Sequence, residues 1–371
     1  MHTKVTIIQE HLPHYRVAFY DCLHTLLQAQ SVQLALVYDP NTARSLLPGK
    51  IPWARPLPIR WFGSLGWQPA LNMARSADLV IVQQEVKYLV TYVLQLRRAV
   101  SSRRLAFWGH GRNYQARNPD SIPEQWKRTV SRHADWWFAY NDLSAKVVES
   151  IGFPSDRITR VKNTIDTASI SRAFDDLSNA DIEAARESLG SASSNIAVFT
   201  GGLYPDKRLP FLFEAAQLVR RAVPDFELVV IGKGTEAPLV EAFAAIHPWL
   251  HYVGAKNDTE KLPYWALSKL LLMPGLVGLV VLDSFALGVP MVTSDFPYHS
   301  PEIDYLEDGV NGVMVKGWDD AAAYAEAVVA LLEDEPRRTG IASRARDSAK
   351  NYTIETMAAN FSEGVISALS R

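Results

Sequence analysis

The sequence predicts an α/β protein built from two doubly wound, parallel-sheet domains. Three observations support this prediction. The chain has 371 residues, more than the roughly 250 to 300 at which a single hydrophobic core usually stops growing. Short apolar runs alternate with helix-like stretches in both halves, the pattern of βα units in a parallel sheet. Between the halves, residues 166–194 are polar, rich in Ala and Ser, and contain no candidate strand.

Twelve apolar segments are candidate strands. Those in the first half are Val5–Gln9, Val32–Tyr38, Leu79–Val82, Leu105–Trp108, Trp136–Tyr140 and Ile158–Val161. Those in the second half are Ile196–Thr200, Glu227–Ile231, His251–Val253, Leu270–Met273, Pro290–Thr293 and Gly312–Val315. The polar segment 166–194 is the expected boundary. We therefore predict an N-terminal domain of residues 1–170 and a C-terminal domain of residues 171–351.

The end of the chain, residues 352–371, is predicted to be an amphipathic helix that packs back onto the N-terminal domain. Thr353 is a suitable N-cap, and Met357, Phe361, Val365 and Leu369 repeat every four positions, which indicates one buried stripe.

Charge is divided unevenly between the two halves. Residues 1–165 hold 21 Lys and Arg against 11 Asp and Glu, a net +10, which leaves 17 against 29, a net −12, for the rest. The basic residues include Arg97, Arg98, Arg103, Arg104, Arg112, Arg117, Lys127, Arg128 and Arg132. Such a surface attracts anionic lipid or phosphorylated substrates, or is simply solvated. A nucleic-acid enzyme is disfavoured because the excess belongs to one domain only.

The sequence favours a cytoplasmic protein. Cys22 is the only cysteine, which excludes an internal disulfide and argues against a cysteine-built metal site. The first residues are typical of a strand rather than a secretory signal. The longest apolar run, Leu270–Leu282, is interrupted by Pro274, Gly275 and Gly278 and is shorter than the ~20 residues that cross a bilayer.

Glycine-rich turns follow three strands of the second half. FTGGLYPDKR, residues 199–208, joins a strand to a helix through a glycine pair and two cations, Lys207 and Arg208. VVIGKG, residues 229–234, and YVGAK, residues 252–256, also run from strand into glycine. Each turn alone is ordinary. Ligands of open α/β sheets bind beyond the carboxyl ends of the strands, so together these turns predict a phosphate-binding crevice.

The segment Leu270–Asp295 is the most specific motif. It contains a strand, a glycine turn, a buried helix that ends at Gly288, and a further strand. The amides of Gly278, Leu279 and Val280 would open the helix and hold a diphosphate. Asp283, one turn into the helix, could accept hydrogen bonds from a ribose.

With these motifs in place, the chain resembles the family 4 retaining glycosyltransferases of GT-B fold over nearly all of its length. MPGLVGLVVLDSFALGVPMV is similar to the family pattern Pro-Ser-x-x-Glu-Gly-Phe-Gly-Leu-x-x-x-Glu-Ala-x-Ala-x-Gly-x-Pro-Val. GGLYPDKR is similar to Gly-Arg-Leu-x-x-x-Lys-Gly, and VKNTID to Pro-Asn-Gly-Val-Asp. The resemblance implies two Rossmann-like domains that face a central cleft, with the nucleotide-sugar bound by the C-terminal one.

The chain departs from the family at two positions. Gly275 stands where the family has an acidic residue that contacts the donor sugar, and Gly202 stands where it has a phosphate-binding arginine. Asp283 keeps the second acidic position, and we expect Lys207, with Arg208 as a substitute cation, to neutralise the diphosphate. The predicted donor-binding residues are Gly201, Gly202, Lys207, Arg208, Gly232, Gly234, Val253, Gly254, Gly278, Leu279, Val280 and Asp283.

Two residues of the N-terminal domain are candidates for function. His110, within WGHG at a strand end, matches a histidine that the family places over the donor sugar, and we predict it to be exposed and catalytic. Arg16 follows the first strand and is predicted either to contact the acceptor or a phosphate, or to cap the first helix. An aromatic loop, which either stacks on sugar or lipid or simply packs, contains Trp53, Trp61, Phe62 and Trp67.

The function implied by the resemblance is transfer of a hexosyl unit from a nucleoside diphosphate sugar to an acceptor hydroxyl, with retention of configuration. The leaving phosphate would take the acceptor proton, and no Asp-x-Asp metal motif is present, so no metal or other cofactor is expected. The acceptor would be a glycan or a lipid-linked intermediate, reached by peripheral contact with anionic membrane. A GT-B sugar-nucleotide epimerase or hydrolase, and a non-catalytic nucleotide-sugar-binding protein, are the alternatives.

Overall fold

The computed structural model of the protein describes residues 3–42, 45, 51–98, 101, 103–118 and 120–371. The chain divides into two compact units. Unit 1 comprises Met1–Asp166 and Ile354–Arg371, and unit 2 comprises Thr167–Thr353. Among the described residues, no helix is both long enough and apolar enough to span a bilayer.

Unit 1 is a parallel sheet covered by helices on both faces. From the amino terminus its elements are β1 (Thr3–Ile8), α1 (Val17–Ala29), β2 (Val32–Tyr38), β3 (Ala54–Pro56), β4 (Arg60–Phe62), β5 (Leu65–Trp67), α2 (Leu71–Ser76), β6 (Leu79–Gln83), α3 (Leu89–Arg98), β7 (Arg104–Gly109), α4 (Ile122–Ser131), β8 (Trp136–Ala139), α5 (Asp142–Ser150) and β9 (Ile158–Arg160). The seven-stranded sheet has the order β3-β2-β1-β6-β7-β8-β9, and β4 and β5 form a separate antiparallel hairpin.

Unit 2 repeats this architecture with six parallel strands. Its elements are α6 (Thr167–Asp175), α7 (Asn179–Leu189), β10 (Ile196–Thr200), α8 (Leu209–Ala222), β11 (Glu227–Ile231), α9 (Ala237–Ile246), β12 (Leu250–Tyr252), α10 (Leu262–Ala266), β13 (Ser268–Met273), α11 (Val280–Leu287), β14 (Met291–Ser294), β15 (Val313–Val315), α12 (Ala321–Glu333) and α13 (Glu335–Ala349). The strand order is β12-β11-β10-β13-β14-β15. The predicted class, α/β with two doubly wound parallel sheets, is confirmed.

All twelve predicted strands are present, each within two residues of its predicted start and end. Their buried, β-branched runs are typical of strands covered on both faces. Three short strands, β3, β4 and β5, were not predicted. Most of their residues are exposed, so no run of buried apolar residues marks these strands in the sequence.

The polar segment 166–194 forms two helices at the start of unit 2. α7 begins with a reciprocal capping box between Ser178 and Asp181 and ends at Gly190 in the left-handed conformation. The division between the units falls between Asp166 and Thr167. This segment therefore has regular structure within unit 2, although its composition is polar.

The last helix, α14 (Ile354–Ser370), belongs to unit 1 and packs against α1 and the sheet. Met357, Phe361 and Val365 are fully buried, as the four-residue repeat predicts. The Phe361 ring stacks on Phe138 with centroids 4.1 Å apart. A Cβ atom added at Gly364 would lie 2.3 Å from Thr159 Oγ1, so glycine at this position allows the helix to approach β9.

Candidate functional site

The glycine turns after β10, β11 and β12 meet at one edge of the unit 2 sheet. The amide of Gly232 donates to Gly254 O at 2.9 Å, and the amide of Gly201 donates to Ile231 O at 3.0 Å. A Cβ atom at Gly232 would lie 1.9 Å from Gly201 O, and one at Gly234 would lie 2.2 Å from Leu203 O. No side chain fits at either position, so these two glycines are required for the turns to converge. Val253, at the end of the third strand, donates its amide to Val230 O at 3.1 Å.

The turn between β13 and α11 carries open backbone donors. Among the described residues, the amides of Gly278, Leu279 and Val280 donate to no protein acceptor. All three residues are partly exposed, and the nearest atom to a Cβ added at Gly278 would be Ser300 Oγ at 3.9 Å. Unpaired amides and the helix dipole favour negative charge at a helix start. This end of α11 can therefore receive an anion.

His299 supports this turn, a role that the sequence did not reveal. Its Nδ1 accepts the Val277 amide at 3.0 Å and its Nε2 lies 2.8 Å from Ser294 O. Burial lowers the pKa of this imidazole to about 4, although the hydrogen bond to Ser294 opposes the shift. His299 is therefore neutral at physiological pH. No motif in the sequence marks His299, which lies in the loop after β14.

Lys207 brings its charge to the same turn. Its Nζ donates to Leu276 O at 2.5 Å and lies 3.8 Å from Met273 Sδ. The side chain is buried, and burial lowers the pKa of the ammonium group to about 8, even though nearby Asp206 favours the charged form. Lys207 is thus still mostly protonated at pH 7, and the carbonyl that it contacts, Leu276 O, lies two residues before the first open amide.

Arg208 immediately precedes α8 and packs against aromatic side chains. Its backbone is in the left-handed region, with φ of 56°, and its guanidinium packs over the rings of Phe211 and Trp318, with distances to the centroids of 4.1 and 4.7 Å. It also donates to the carbonyl oxygen of Trp318. The side chain is only partly buried and a guanidinium has five N–H donors, so the role of Arg208 as a substitute cation for the diphosphate stays a prediction.

Asp283 lies in the first turn of α11, as predicted, but it is paired with another side chain. Its Oδ1 accepts a hydrogen bond from Lys261 Nζ at 2.7 Å, and both side chains are buried. Lys261 also lies 3.6 Å from Asp258. Burial lowers the pKa of Lys261, but the ion pair with Asp283 outweighs it and leaves this pKa above its usual value. Sequence reasoning missed Lys261, because a lysine 22 positions before its partner forms no recognisable local pattern.

Protein atoms occupy the places of the two side chains that the chain lacks. A Cβ atom at Gly275 would lie 2.4 Å from Asp206 O and 2.6 Å from Lys207 O. A Cβ atom at Gly202 would lie 2.6 Å from Cε1 of the Tyr204 ring. Backbone atoms of residues 206 and 207 therefore occupy the space of a side chain at position 275. The Tyr204 ring occupies that space at position 202.

His110, in unit 1, is less accessible than predicted. Its ring packs on Tyr140 with centroids 4.1 Å apart, and its Nδ1 is enclosed and has no hydrogen-bond partner among the described residues. Burial, with smaller contributions from Lys127 and Arg16, lowers the pKa of the imidazole to about 3. The side chain as a whole is partly exposed, and its catalytic role stays a prediction.

Arg16 is a structural residue of unit 1. Its guanidinium is buried and donates to Asn163 Oδ1, to Thr164 O at 3.4 Å and to Met357 Sδ at 3.4 Å. It makes no capping hydrogen bond at the start of α1. The predicted helix cap is therefore not observed, whereas contact with the acceptor or a phosphate stays a prediction. The observed contacts of Arg16 join the loop after β9 to α14.

No group of three His, Cys, Asp or Glu side chains in the described part of the chain is arranged to hold a metal ion. The groups of unit 2 that are positioned to receive an anion are backbone amides and one buried lysine.

Residues 194–334 match the family model described as "Glycosyl transferases group 1". This range includes every donor-binding residue predicted above. Unit 2 carries a group 1 glycosyltransferase domain. The resemblance to family 4-type glycosyltransferases is thereby confirmed for the part of the chain that holds the glycine turns and α11.

Curated relatives of this domain include two mycobacterial enzymes. The phosphatidyl-myo-inositol mannosyltransferase of Mycolicibacterium smegmatis is 28% identical over 159 residues, which cover 42% of this chain and 40% of that protein. The GDP-mannose-dependent alpha-(1-6)-phosphatidylinositol monomannoside mannosyltransferase of the same organism is 32% identical over 175 residues, or 43% and 44% of the two chains. The chain thus matches less than half the length of either relative.

Solved structures extend the likeness in fold to the whole chain. The Anabaena protein HepE in complex with UDP has a TM-score of 0.72 and 16% identity, and the match covers 98% of this chain and 100% of that one. The sucrose-phosphate synthase of Thermosynechococcus elongatus has a TM-score of 0.71 at 14% identity, covering 97% and 98% of the two chains. These matches confirm the GT-B fold.

Proposed function

We propose that the protein is a glycosyltransferase that moves a hexose from a nucleoside diphosphate sugar to an acceptor hydroxyl. One observation carries this proposal. The ammonium group of Lys207 and the open amides of Gly278, Leu279 and Val280 lie at the same turn, where a helix dipole also favours negative charge. A diphosphate has the charge and the acceptor oxygens that this arrangement requires.

The same groups would assist departure of the nucleoside diphosphate. As the bond to the sugar breaks, negative charge builds up on the leaving phosphate oxygen. Lys207 Nζ and the three amides are preorganised donors for that charge, and loss of one such donor typically lowers kcat by about 10²- to 10³-fold. No metal ion is needed for this step, because the compensating charge and donors come from the chain itself.

The nucleoside would lie beyond the diphosphate, near Asp283. Lys261 binds one oxygen of that carboxylate, and we propose that the other accepts from the ribose hydroxyls. The donor sugar must be held without the acidic side chain that Gly275 replaces. Tyr204, which is partly exposed and lies beside Gly202, is the residue best placed to contribute to sugar or phosphate binding there.

For the acceptor we propose a lipid-linked glycan at the cytoplasmic face of an anionic membrane, with retention of configuration. Unit 1 is basic, and it exposes Trp61 and Phe62 on the β4–β5 hairpin and Ile122 and Trp126 on α4. Exposed aromatic and aliphatic side chains in a basic surface suit the interface of such a membrane. Both mycobacterial relatives are named for phosphatidylinositol-based acceptors.

The first experiment is a thermal-shift panel of UDP-, GDP-, ADP- and dTDP-sugars. A true donor should raise the melting temperature in a saturable manner by mass action. Lys207→Ala should abolish that rise, whereas Lys233→Ala, which removes an exposed lysine from a neighbouring turn, should leave it unchanged. If no donor binds, or if both variants behave like the parent, the proposed site is wrong.

The second experiment measures transfer of the labelled sugar to lipid extracts, with the anomeric configuration of the product read by NMR. A retained anomer on a lipid-linked product supports the full proposal. Release of free sugar, or of an altered sugar nucleotide without acceptor, would indicate a hydrolase or an epimerase. Donor binding without turnover on any extract would indicate a non-catalytic binding protein.

A further inference from the structure

Unit 1 contains a cavity of about 540 Å³ at the amino ends of β6 and β7. Five of its lining residues are arginines, namely Arg75, Arg97, Arg98, Arg103 and Arg104. They come from the end of α2, the end of α3 and the start of β7. The volume lies within the range of small-molecule sites, roughly 300 to 1,000 Å³.

Two of the five arginines donate hydrogen bonds to protein acceptors. Arg98 Nε donates to Asp135 Oδ1 at 2.7 Å, and Arg104 donates to the carbonyl oxygen of Ala368 in α14. These two contacts fix the side chains of Arg98 and Arg104 against neighbouring parts of unit 1. This part of the cavity wall is therefore held in place without a ligand.

The other three arginines have no carboxylate partner among the described residues. Arg97 is partly buried, and its Nη1 is enclosed without a hydrogen-bond partner in the described part of the chain. An enclosed donor without an acceptor is destabilising, and three cations around one cavity repel each other. A multivalent anion would remove both penalties, and a phosphate group matches the planar fork of a guanidinium.

The floor of the cavity is apolar. It consists of buried side chains of α2, β6, α3 and β7, namely Ala74, Val80, Leu94 and Leu105. A ligand that consisted of a phosphate group alone would make no contact with this apolar floor. The cavity therefore fits a phosphate ester whose uncharged portion contacts the floor.

The cavity is also separate from the edge where ligands of doubly wound sheets usually bind. That edge lies at the carboxyl ends of the strands, where β7 leads into His110, whereas the arginines lie at the amino ends of β6 and β7.

We propose that this arginine pocket is a binding site for a phosphate monoester with an apolar or neutral body. Arg75, Arg97 and Arg103 bind the phosphate, and Val80 and Leu105 contact the body. The ester is either a soluble phosphorylated metabolite or the head group of an anionic lipid.

Glycerol 3-phosphate is the soluble probe, and phosphatidylcholine vesicles with and without phosphatidic acid are the lipid probe. Binding is measured by calorimetry and by vesicle co-sedimentation on full-length protein that carries Lys207→Met, so that the turn before α11 does not contribute. Arg97→Gln and the double variant Arg75→Gln/Arg103→Gln are compared with Arg55→Gln, which removes an exposed arginine on β3 outside the pocket.

The pocket variants should weaken binding roughly tenfold or more, because each loses charge-assisted hydrogen bonds, whereas Arg55→Gln should not. Binding of glycerol 3-phosphate identifies a soluble ester, and pocket-dependent binding of phosphatidic acid vesicles alone identifies a lipid. If neither probe binds, or if Arg55→Gln weakens binding as much as the pocket variants, the proposal is overturned. Because Arg75 and Arg103 are exposed, the double variant remains informative should Arg97→Gln fail to fold.

Nucleotide-sugar binding is measured in parallel on Arg97→Gln with Lys207 intact. It should match the parent, so failure of the pocket proposal and failure of the proposed transferase function give different results.

Discussion

Replacing Lys207 with methionine should make the protein more stable and less able to bind a diphosphate. The ammonium group of Lys207 is buried beside Leu276 O and Met273 Sδ, with no carboxylate within ion-pairing distance among the described residues. Methionine has a similar length and no charge. The variant therefore removes the desolvation penalty of the ammonium group while keeping the packing.

The size of the effect follows from the pKa. A fall from 10.5 in the unfolded chain to about 8 in the folded protein corresponds to a penalty of roughly 3 kcal/mol at pH 7. Loss of the hydrogen bond to Leu276 O offsets about 1 kcal/mol. The net gain of about 2 kcal/mol should raise the melting temperature of a unit of this size by roughly 4 to 8 °C.

The sign of the pH dependence provides a second check. Because the folded-state pKa is lowered, the penalty is fully present below about pH 8 and declines as the pH rises towards the unfolded value of 10.5. Urea unfolding of the parent and of Lys207→Met should therefore differ by about 2 kcal/mol at pH 7 and by almost nothing at about pH 9.5. Lys233→Met, at an exposed position, is the control. A Lys207→Met variant less stable than the parent at pH 7, or a difference independent of pH, would refute the reasoning.

Three further predictions concern close packing and titration. Gly275→Ala should destabilise unit 2 by about 2 kcal/mol or more and weaken nucleotide-sugar binding, because its Cβ would lie 2.4 Å from Asp206 O. Calorimetry measures the loss of stability, and the thermal-shift panel measures the loss of binding. The control is Gly340→Ala in α13. The nearest atom to its Cβ outside the helix backbone would be the flexible end of Arg344, at 3.4 Å, so this variant should be neutral or more stable. Gly364→Ala should lower the stability of unit 1 by about 1 to 3 kcal/mol in urea unfolding, and an unchanged midpoint would contradict the packing of α14 on β9. The His110 imidazole, with a pKa of about 3, should show no NMR titration between about pH 5 and about pH 8, whereas a mid-range titration would mean that it is solvated.

The strands were predictable because their signal is local. Strands of a doubly wound sheet are buried on both faces, so each appears as a continuous apolar run, and α14 repeats Met357, Phe361 and Val365 at the spacing of one buried stripe. The short strands β3, β4 and β5 escaped prediction because most of their residues are exposed, so no buried apolar run marks them.

Glycines were also informative, because a strand that runs into glycine marks the turns where the backbone must approach another segment closely. Gly201, Gly232 and Gly254 were correctly grouped at one sheet edge on this basis. The departures at Gly202 and Gly275 could likewise be recognised by comparison with the family pattern.

The partners of the charged side chains could not be predicted. Arg16 bonds to Asn163, 147 positions away, and Asp283 bonds to Lys261 through a loop that carries no motif. These side-chain pairs form only where the sheets bring two loops close together. The spacing of residues along the sequence does not show which loops will be close. For the same reason the sequence did not reveal the neighbours of Arg16, His110 and Arg208.

The amino-acid sequence by itself determined the two parallel sheets, the order of their strands along the chain and the turns that present backbone amides to an anion. Those features follow from apolar periodicity and from the absence of a Cβ atom in glycine. Only the tertiary structure decided that the ammonium group of Lys207 is buried against Leu276 O, that backbone and the Tyr204 ring fill the places of the missing side chains, and that the arginines of unit 1 surround a cavity. These depend on contacts between distant segments, whose geometry exists only in the folded chain.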